Sequence, residues 1–177
     1  MRTLAVCVIL FSCSLLIGCK GIAYKVVTAN MSPALNPGDA FTANPFEYSD
    51  GSTVKRFDIV VFQAPEDVKK MFDLSGDVRY TMRVIGLPGE KLEIRDNRTY
   101  INGQLVNEPF ETIFDEKDRK KNFPAITIPE EEYFLMGDNR PNSMDCRYFA
   151  RPTISKKDIY SKVLDIMPGY YKDQLPK

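Results

Sequence analysis

The sequence offers few side chains that could carry out hydrolytic chemistry. It contains no histidine, which excludes Ser-His-Asp and Cys-His mechanisms and most zinc sites. The usual histidine-free arrangement is a serine whose proton is taken by a lysine. The stretch 28–39 is a candidate nucleophile loop, since Asn30 and Ser32 lie there just before Pro33. Its two prolines and Gly-Asp signal are equally typical of an ordinary turn between a leader and a first strand.

The elements that must position these side chains are predicted to be strands. Runs rich in β-branched and aromatic residues, bounded by turn signals, predict strands at 57–62, 80–85, 92–95, 99–101, 126–128 and 133–136. Asp96-Asn97 and Asn102-Gly103 are typical hairpin turns. The charged segment 66–77 is expected to be a surface loop or short helical turn, and 108–121 an excursion away from the core. Residues 154–166 show only weak periodicity.

Composition limits the class of protein. A chain of 177 residues, 44% of them hydrophobic, can bury one core and little more. Lysine plus arginine equals aspartate plus glutamate at 24 each, so no nucleic-acid partner is indicated. We expect no metal and no cofactor. The prediction is one mostly β domain over 19–177 with a small charged insertion at about 104–125.

The N-terminus has the pattern of a secretory leader. Arg2 precedes an apolar run over 4–17 that is short for a membrane span. The run ends in Gly18-Cys19 and resembles the lipobox of bacterial lipoproteins, which implies a signal peptide over 1–18 and lipidation of Cys19. The alternatives are an uncleaved anchor or a plain secretory leader. We therefore expect a bacterial envelope protein, held on the non-cytoplasmic side of a membrane.

Three separated sequence boxes occur in a fixed order. They are Asn-Met-Ser-Pro-Ala-Leu-Asn-Pro-Gly-Asp at 30–39, Arg-Val-Ile-Gly-Leu-Pro-Gly at 83–89 and Gly-Asp-Asn-Arg-Pro-Asn-Ser-Met-Asp-Cys-Arg at 137–147. Together with the strand at 56–62, this set resembles the type I signal peptidases, which remove leaders from exported proteins. The resemblance implies an antiparallel β fold, a Ser-Lys dyad and an extended substrate with small side chains beside a strand edge.

The two positions that carry the dyad are substituted. The family's nucleophilic serine precedes Met-x-Pro, where this chain has Asn30; the family's basic lysine precedes the second box, where it has Met82. In such enzymes a buried lysine has a depressed pKa and can deprotonate the serine. An amide is not a usable nucleophile and a thioether accepts no proton near neutral pH.

The third box is closer to the family pattern. Ser143, Asp145 and Arg147 match positions where the serine hydrogen-bonds the base and the Asp-Arg pair fixes the loop. Asp138 and Arg140 belong to the same structural loop, and Thr28 stands where some members carry an oxyanion-hole hydroxyl. Cys146, the only cysteine outside the leader apart from Cys19, replaces a serine and is expected to be a passive buried thiol.

Three functional hypotheses remain open. The first is a tethered, inactive signal peptidase-like protein that binds signal peptides, preproteins or an active signal peptidase. The second is an active serine endopeptidase that uses Ser32 and a lysine at a non-standard position; extended backbone would put residues 30 and 32 on one side, roughly 6–7 Å apart. The third is a purely structural envelope lipoprotein.

Overall fold

The computed structural model describes residues 21–48, 53–115, 118, 120–171 and 173. The leader over 1–18 and Cys19 lie outside the described residues. Among the residues described, no helix has the length and apolar character needed to cross a membrane.

Eleven strands and one short α-helix make up the described fold, in agreement with the predicted mostly β class. In chain order they are β1 Ile22–Lys25, β2 Ala40–Asn44, β3 Ile59–Gln63, α1 Glu66–Met71, β4 Arg79–Gly86, β5 Lys91–Arg95, β6 Arg98–Ile101, β7 Gln104–Leu105, β8 Phe123–Thr127, β9 Glu132–Met136, β10 Ile154–Ser155 and β11 Ile159–Met167, with 3-10 helices at Arg140–Asn142 and Lys156–Asp158.

The strands form two sheets. A seven-stranded sheet has the order β1-β2-β11-β3-β4-β9-β10, and a four-stranded sheet has the order β7-β6-β5-β8. Every strand pair is antiparallel. In the large sheet, β4 pairs with β3 along Arg79–Arg83 but with β9 only along Arg83–Gly86. The first half of β4 therefore has no strand on its β9 side within the described part of the chain.

The small sheet is built from the hairpins that the turn residues predict. Asp96 and Asn97 link β5 to β6 with φ of 47° and 61°, and Asn102 and Gly103 link β6 to β7 with φ of 51° and 82°. Left-handed backbone at two consecutive positions matches the right-handed twist of the strands that it joins. Both hairpin predictions are confirmed.

Strand β11 is the main element that the sequence did not predict. It lies between β2 and β3, inside the large sheet. Up to Val163, the residues of β11 alternate between buried and partly buried, as in a half-buried strand. The register against β2 then shifts between Val163 and Ile166. Three consecutive residues after Val163 are exposed, so the hydrophobic alternation breaks in the middle of the strand.

The segment after β7 corrects a second expectation. We call its described residues 108–115 and 118 the strap, and residues 137–147 the site loop. The strap was expected to leave the core, but it lies against the site loop: Ile113 N–H donates to the Asp138 carbonyl at 2.9 Å, and Arg140 N–H donates to the Ile113 carbonyl at 3.0 Å. Two of its carboxylates are paired with the site loop, Glu108 with Arg140 and Asp118 with Arg147, and Asp118 is only 7% exposed.

Candidate functional site

The loop that carries Asn30 is a compact turn. Ser32 N–H donates to the Ala29 carbonyl at 3.1 Å, and Leu35 N–H donates to the Met31 carbonyl at 2.9 Å. The expectation of extended backbone at residues 30 to 32 is therefore wrong, because local turn bonds take precedence over the preference for extended backbone before proline. Met31 and Leu35 anchor the turn, each 1% exposed.

The Asn30 side chain is hydrogen-bonded at both ends of its amide. Its Nδ2 donates to the carbonyl of Thr81 in β4 at 2.9 Å, and its Oδ1 accepts from the Thr28 hydroxyl at 2.7 Å. The main chain is held separately, since Asn139 N–H donates to the Asn30 carbonyl at 3.1 Å. The carboxamide thus lies against the half of β4 that no strand covers.

Met82 follows Thr81 and is 1% exposed. Arg83 pairs with Met136 across β4 and β9, so continuing that register by one step sets Gly137 opposite Met82. A Cβ on Gly137 would stand 2.4 Å from both the Asn30 carbonyl oxygen and the Ser143 hydroxyl oxygen. The fold therefore brings Asn30 and Ser143 together at Gly137, the floor of the candidate site, and the extended register sets Met82 across from it.

Ser143 is buried at the same place. Its side chain belongs to a residue that is 5% exposed, and the hydroxyl makes no hydrogen bond within the part of the chain that the structure describes. Buried hydroxyls normally form hydrogen bonds, so one without a hydrogen-bond partner calls for an explanation. The thioether of Met82 stands at the position where the family resemblance implies the lysine partner of this hydroxyl.

Arg147 and Asp145 form the centre of the site loop. Arg147 Nε donates to Asp145 Oδ1 at 2.8 Å, and its Nη1 donates to Asp118 Oδ2 in the strap at 2.9 Å. Burial disfavours the guanidinium charge, but the two carboxylates outweigh burial and raise the pKa of Arg147. The three side chains are at most 1% exposed, so one buried guanidinium is shared by two buried carboxylates.

Arg83 and Asp138 form a second buried pair that the sequence analysis did not single out as a pair. Arg83 Nη2 and Nε donate to the Asp138 carboxylate at 2.6 and 2.8 Å. Arg83 also donates to the Phe57 carbonyl at 3.0 Å, and its guanidinium lies 3.9 Å from the centre of the Phe110 ring. This fork-like pair joins β4 to the start of the site loop. Its two members had separate sequence signals, since Arg83 opens the second box and Asp138 lies in the third.

The remaining predicted residues have no catalytic partner in the structure. Thr28 is exposed and Ser32 is 9% exposed. Among the described residues no lysine is buried, and none lies within hydrogen-bond distance of the Ser32 hydroxyl. Cys146 is a free and fully buried thiol whose pKa burial raises far above its ordinary value. It therefore stays protonated and is a poor nucleophile at neutral pH.

The candidate site is a strand edge rather than a cavity. Two surface cavities, of about 490 and 250 Å³, are lined by other residues and lie away from Asn30 and Met82. No group of three potential metal ligands occurs in the described ranges.

Comparisons with known proteins agree with this architecture. A family model for signal peptidase, peptidase S26, matches residues 1–167. Signal peptidase I V of Bacillus subtilis (strain 168) is 33% identical over 154 residues, which cover 81% of this chain and 84% of that protein. Signal peptidase I P of Bacillus subtilis subsp. natto is 37% identical over 142 residues, or 77% of this chain and 71% of that protein. A crystal structure of a signal peptidase I from Enterococcus faecalis V583 aligns with a TM-score of 0.50 and 30% identity, covering 64% of this chain and 98% of that one. The chain therefore belongs to the signal peptidase family, peptidase S26.

Proposed function

We propose that this protein is a signal peptidase family member that binds the signal peptides of preproteins without cutting them. The observation that carries the proposal is the pair of side chains at the family's nucleophile and base positions. Asn30 uses its amide in hydrogen bonds to Thr28 and Thr81, and Met82 is a buried thioether. Neither group can attack a peptide bond or take a proton at neutral pH. Removing residues that act together in catalysis lowers the rate by a factor on the order of 10⁴ to 10⁶.

The geometry of Ser32 argues against the alternative of an active peptidase. Every lysine in the described part of the chain is at least partly exposed, so none has the buried surroundings that would make it a base for Ser32. A serine hydroxyl without a base is a weak nucleophile at neutral pH. This favours a site that positions a peptide over one that cleaves it.

The uncovered half of β4 supports peptide binding. Residues from Arg79 to Met82 pair with β3 on one side only among the described strands. An extended segment can add to such an edge through main-chain hydrogen bonds, while pockets beside it select its alternate side chains. The Thr81 carbonyl points to this edge, where it accepts from the Asn30 amide at 2.9 Å.

The direct test is to mix the full chain, purified in detergent, with a fluorescent signal peptide and with a radiolabelled preprotein. We expect saturable binding by fluorescence anisotropy in the micromolar range, about 8 kcal/mol of binding free energy, and no cleavage product on a gel. Binding should vanish for the same peptide N-methylated at alternate amides, which cannot pair with a strand edge. Cleavage abolished by Ser32→Ala would instead establish the active peptidase, and no binding would favour a purely structural lipoprotein.

We also propose that the protein is anchored through Cys19 on the outer face of a membrane. The motivation is the short apolar leader that stops at Gly18-Cys19. Mass spectrometry of the N-terminal peptide from cells is expected to begin at Cys19 and to carry the mass of acyl chains. A Cys19→Ser variant should lose that mass. An unmodified N-terminus at Met1 in the native protein would exclude the lipid anchor.

A further inference from the structure

The backbone of Gly137, the floor of the candidate site, is held on both sides of its Cα. Its N–H, in the peptide group before Gly137, donates to Asp145 Oδ2 at 3.3 Å, and its carbonyl, in the peptide group after Gly137, accepts from Arg140 Nε at 3.1 Å. There is no space for a side chain, because a Cβ would meet the Asn30 carbonyl and the Ser143 hydroxyl at 2.4 Å. A shift of the backbone at Gly137 would therefore disturb this close packing.

Each of these two bonds continues to a carboxylate of the strap. Arg140 donates through Nη2 to Glu108 Oε2 at 2.6 Å, while Asp145 is bridged by Arg147 to Asp118, with Arg147 Nη1 donating at 2.9 Å. Arg140 and Arg147 are also joined directly, since Arg147 Nη2 donates to the Arg140 carbonyl at 2.6 Å. The two arginines are 2% and 1% exposed, so solvent does little to weaken the chain of ion pairs.

We propose that Glu108 and Asp118 are positioning residues that fix the backbone on both sides of Gly137 and, with it, the peptide-binding edge beside Asn30 and Thr81. Without Glu108, the buried Arg140 would lose the carboxylate that compensates its charge. Without Asp118, Arg147 would keep Asp145 but lose its bond to the strap, and Asp145 would be held less firmly. The expected change in peptide affinity rests on the proposed function, whereas the expected change at Gly137 does not.

The test compares Glu108→Gln and Asp118→Asn with the native protein, by nuclear magnetic resonance of ¹⁵N-labelled chains and by peptide anisotropy. We expect the Gly137 amide signal to shift in both variants. Hydrogen exchange at the Gly137 amide should become at least about tenfold faster. This increase should exceed the one that the loss of global stability would cause, because the opening is local. Affinity for the signal peptide should fall by about five- to tenfold.

The matched control is Glu90→Gln. Glu90 forms another ion pair with Arg56 at the other end of β4, more exposed than the strap pairs, with side chains 17% and 24% exposed. Its loss should lower stability by less and leave Gly137 exchange and peptide affinity unchanged. If either strap variant does not fold, Thr99→Val removes only the hydroxyl that donates to Glu108 at 3.1 Å and should act in the same direction. Gly137 signals that stay unmoved in the folded strap variants would overturn the proposal. If the native chain does not bind the peptide, the proposed function is wrong, but the inference about Gly137 is unaffected.

Discussion

Replacing Asn30 by serine and Met82 by lysine together is expected to create a peptidase. A lysine at position 82 would replace a side chain that is 1% exposed, so desolvation would lower its pKa and leave part of it neutral at ordinary pH. It would stand opposite Gly137 and beside Ser143, whose hydroxyl has no partner in the described structure. That hydroxyl could then orient the amine, as the resemblance to the family implies.

The expected gain is large. Catalytic residues that act as a unit contribute on the order of 10⁴ to 10⁶ in rate, and the double variant should approach that increase over the native chain. The measurement is the appearance of mature product from a preprotein, followed by mass spectrometry at rising pH. Cleavage should increase as the lysine loses its proton.

The single variants are the controls. Asn30→Ser alone has a nucleophile without a base, and Met82→Lys alone has a base without a nucleophile, so both should stay inactive. Adding Ser143→Ala to the double variant should reduce cleavage again. A double variant that is folded, binds peptide and still does not cut would show that the site has lost more than its two side chains.

The second large effect concerns stability. Changing Arg147 to methionine removes the cation shared by Asp118 and Asp145, which are 1% and 0% exposed. Two buried carboxylates would then face each other without compensation. Breaking a buried pair by removing one partner costs about 3–5 kcal/mol, and we expect a loss of at least that size in the free energy of unfolding at neutral pH, measured by urea denaturation.

Two further variants separate charge from packing. Arg95→Met breaks an exposed pair with Glu93, 55% and 30% exposed at 3.4 Å, and should change stability by less than about 1 kcal/mol. A triple variant, Arg147→Met with Asp118→Asn and Asp145→Asn, should regain part of the loss because its buried groups are neutral. A triple variant that is less stable than Arg147→Met alone would show that packing, rather than unpaired charge, dominates.

Local signals in the sequence were sufficient for much of the fold. The hairpins at Asp96-Asn97 and Asn102-Gly103 were predictable because the turn residues themselves determine the backbone conformation there. Strand β11 was not, because its register shift interrupts the alternation that identifies a strand. Its place between β2 and β3 depends on contacts distant in sequence.

The candidate site, too, could be predicted from the sequence only in part. Asn30, Met82 and Ser143 could be selected from box spacing, and the structure brings their positions around Gly137. The strap could not be predicted, because a run of charged residues usually indicates a solvated surface. Its partners are 32 positions away for Glu108 and 29 for Asp118, and no local rule pairs charges over such separations.

The backbone at Asn30 is held in part by a bond that does not involve its side chain, from Asn139 N–H to the Asn30 carbonyl at 3.1 Å. Changing the side chain removes its bonds to Thr28 and Thr81 but leaves this one in place. Asparagine codons become serine codons by a single base change, and the methionine codon becomes a lysine codon in the same way. In genetic terms, two point mutations separate this protein from the Ser-Lys dyad that its family resemblance implies, a distance that a mutagenised population under selection for leader cleavage can cross.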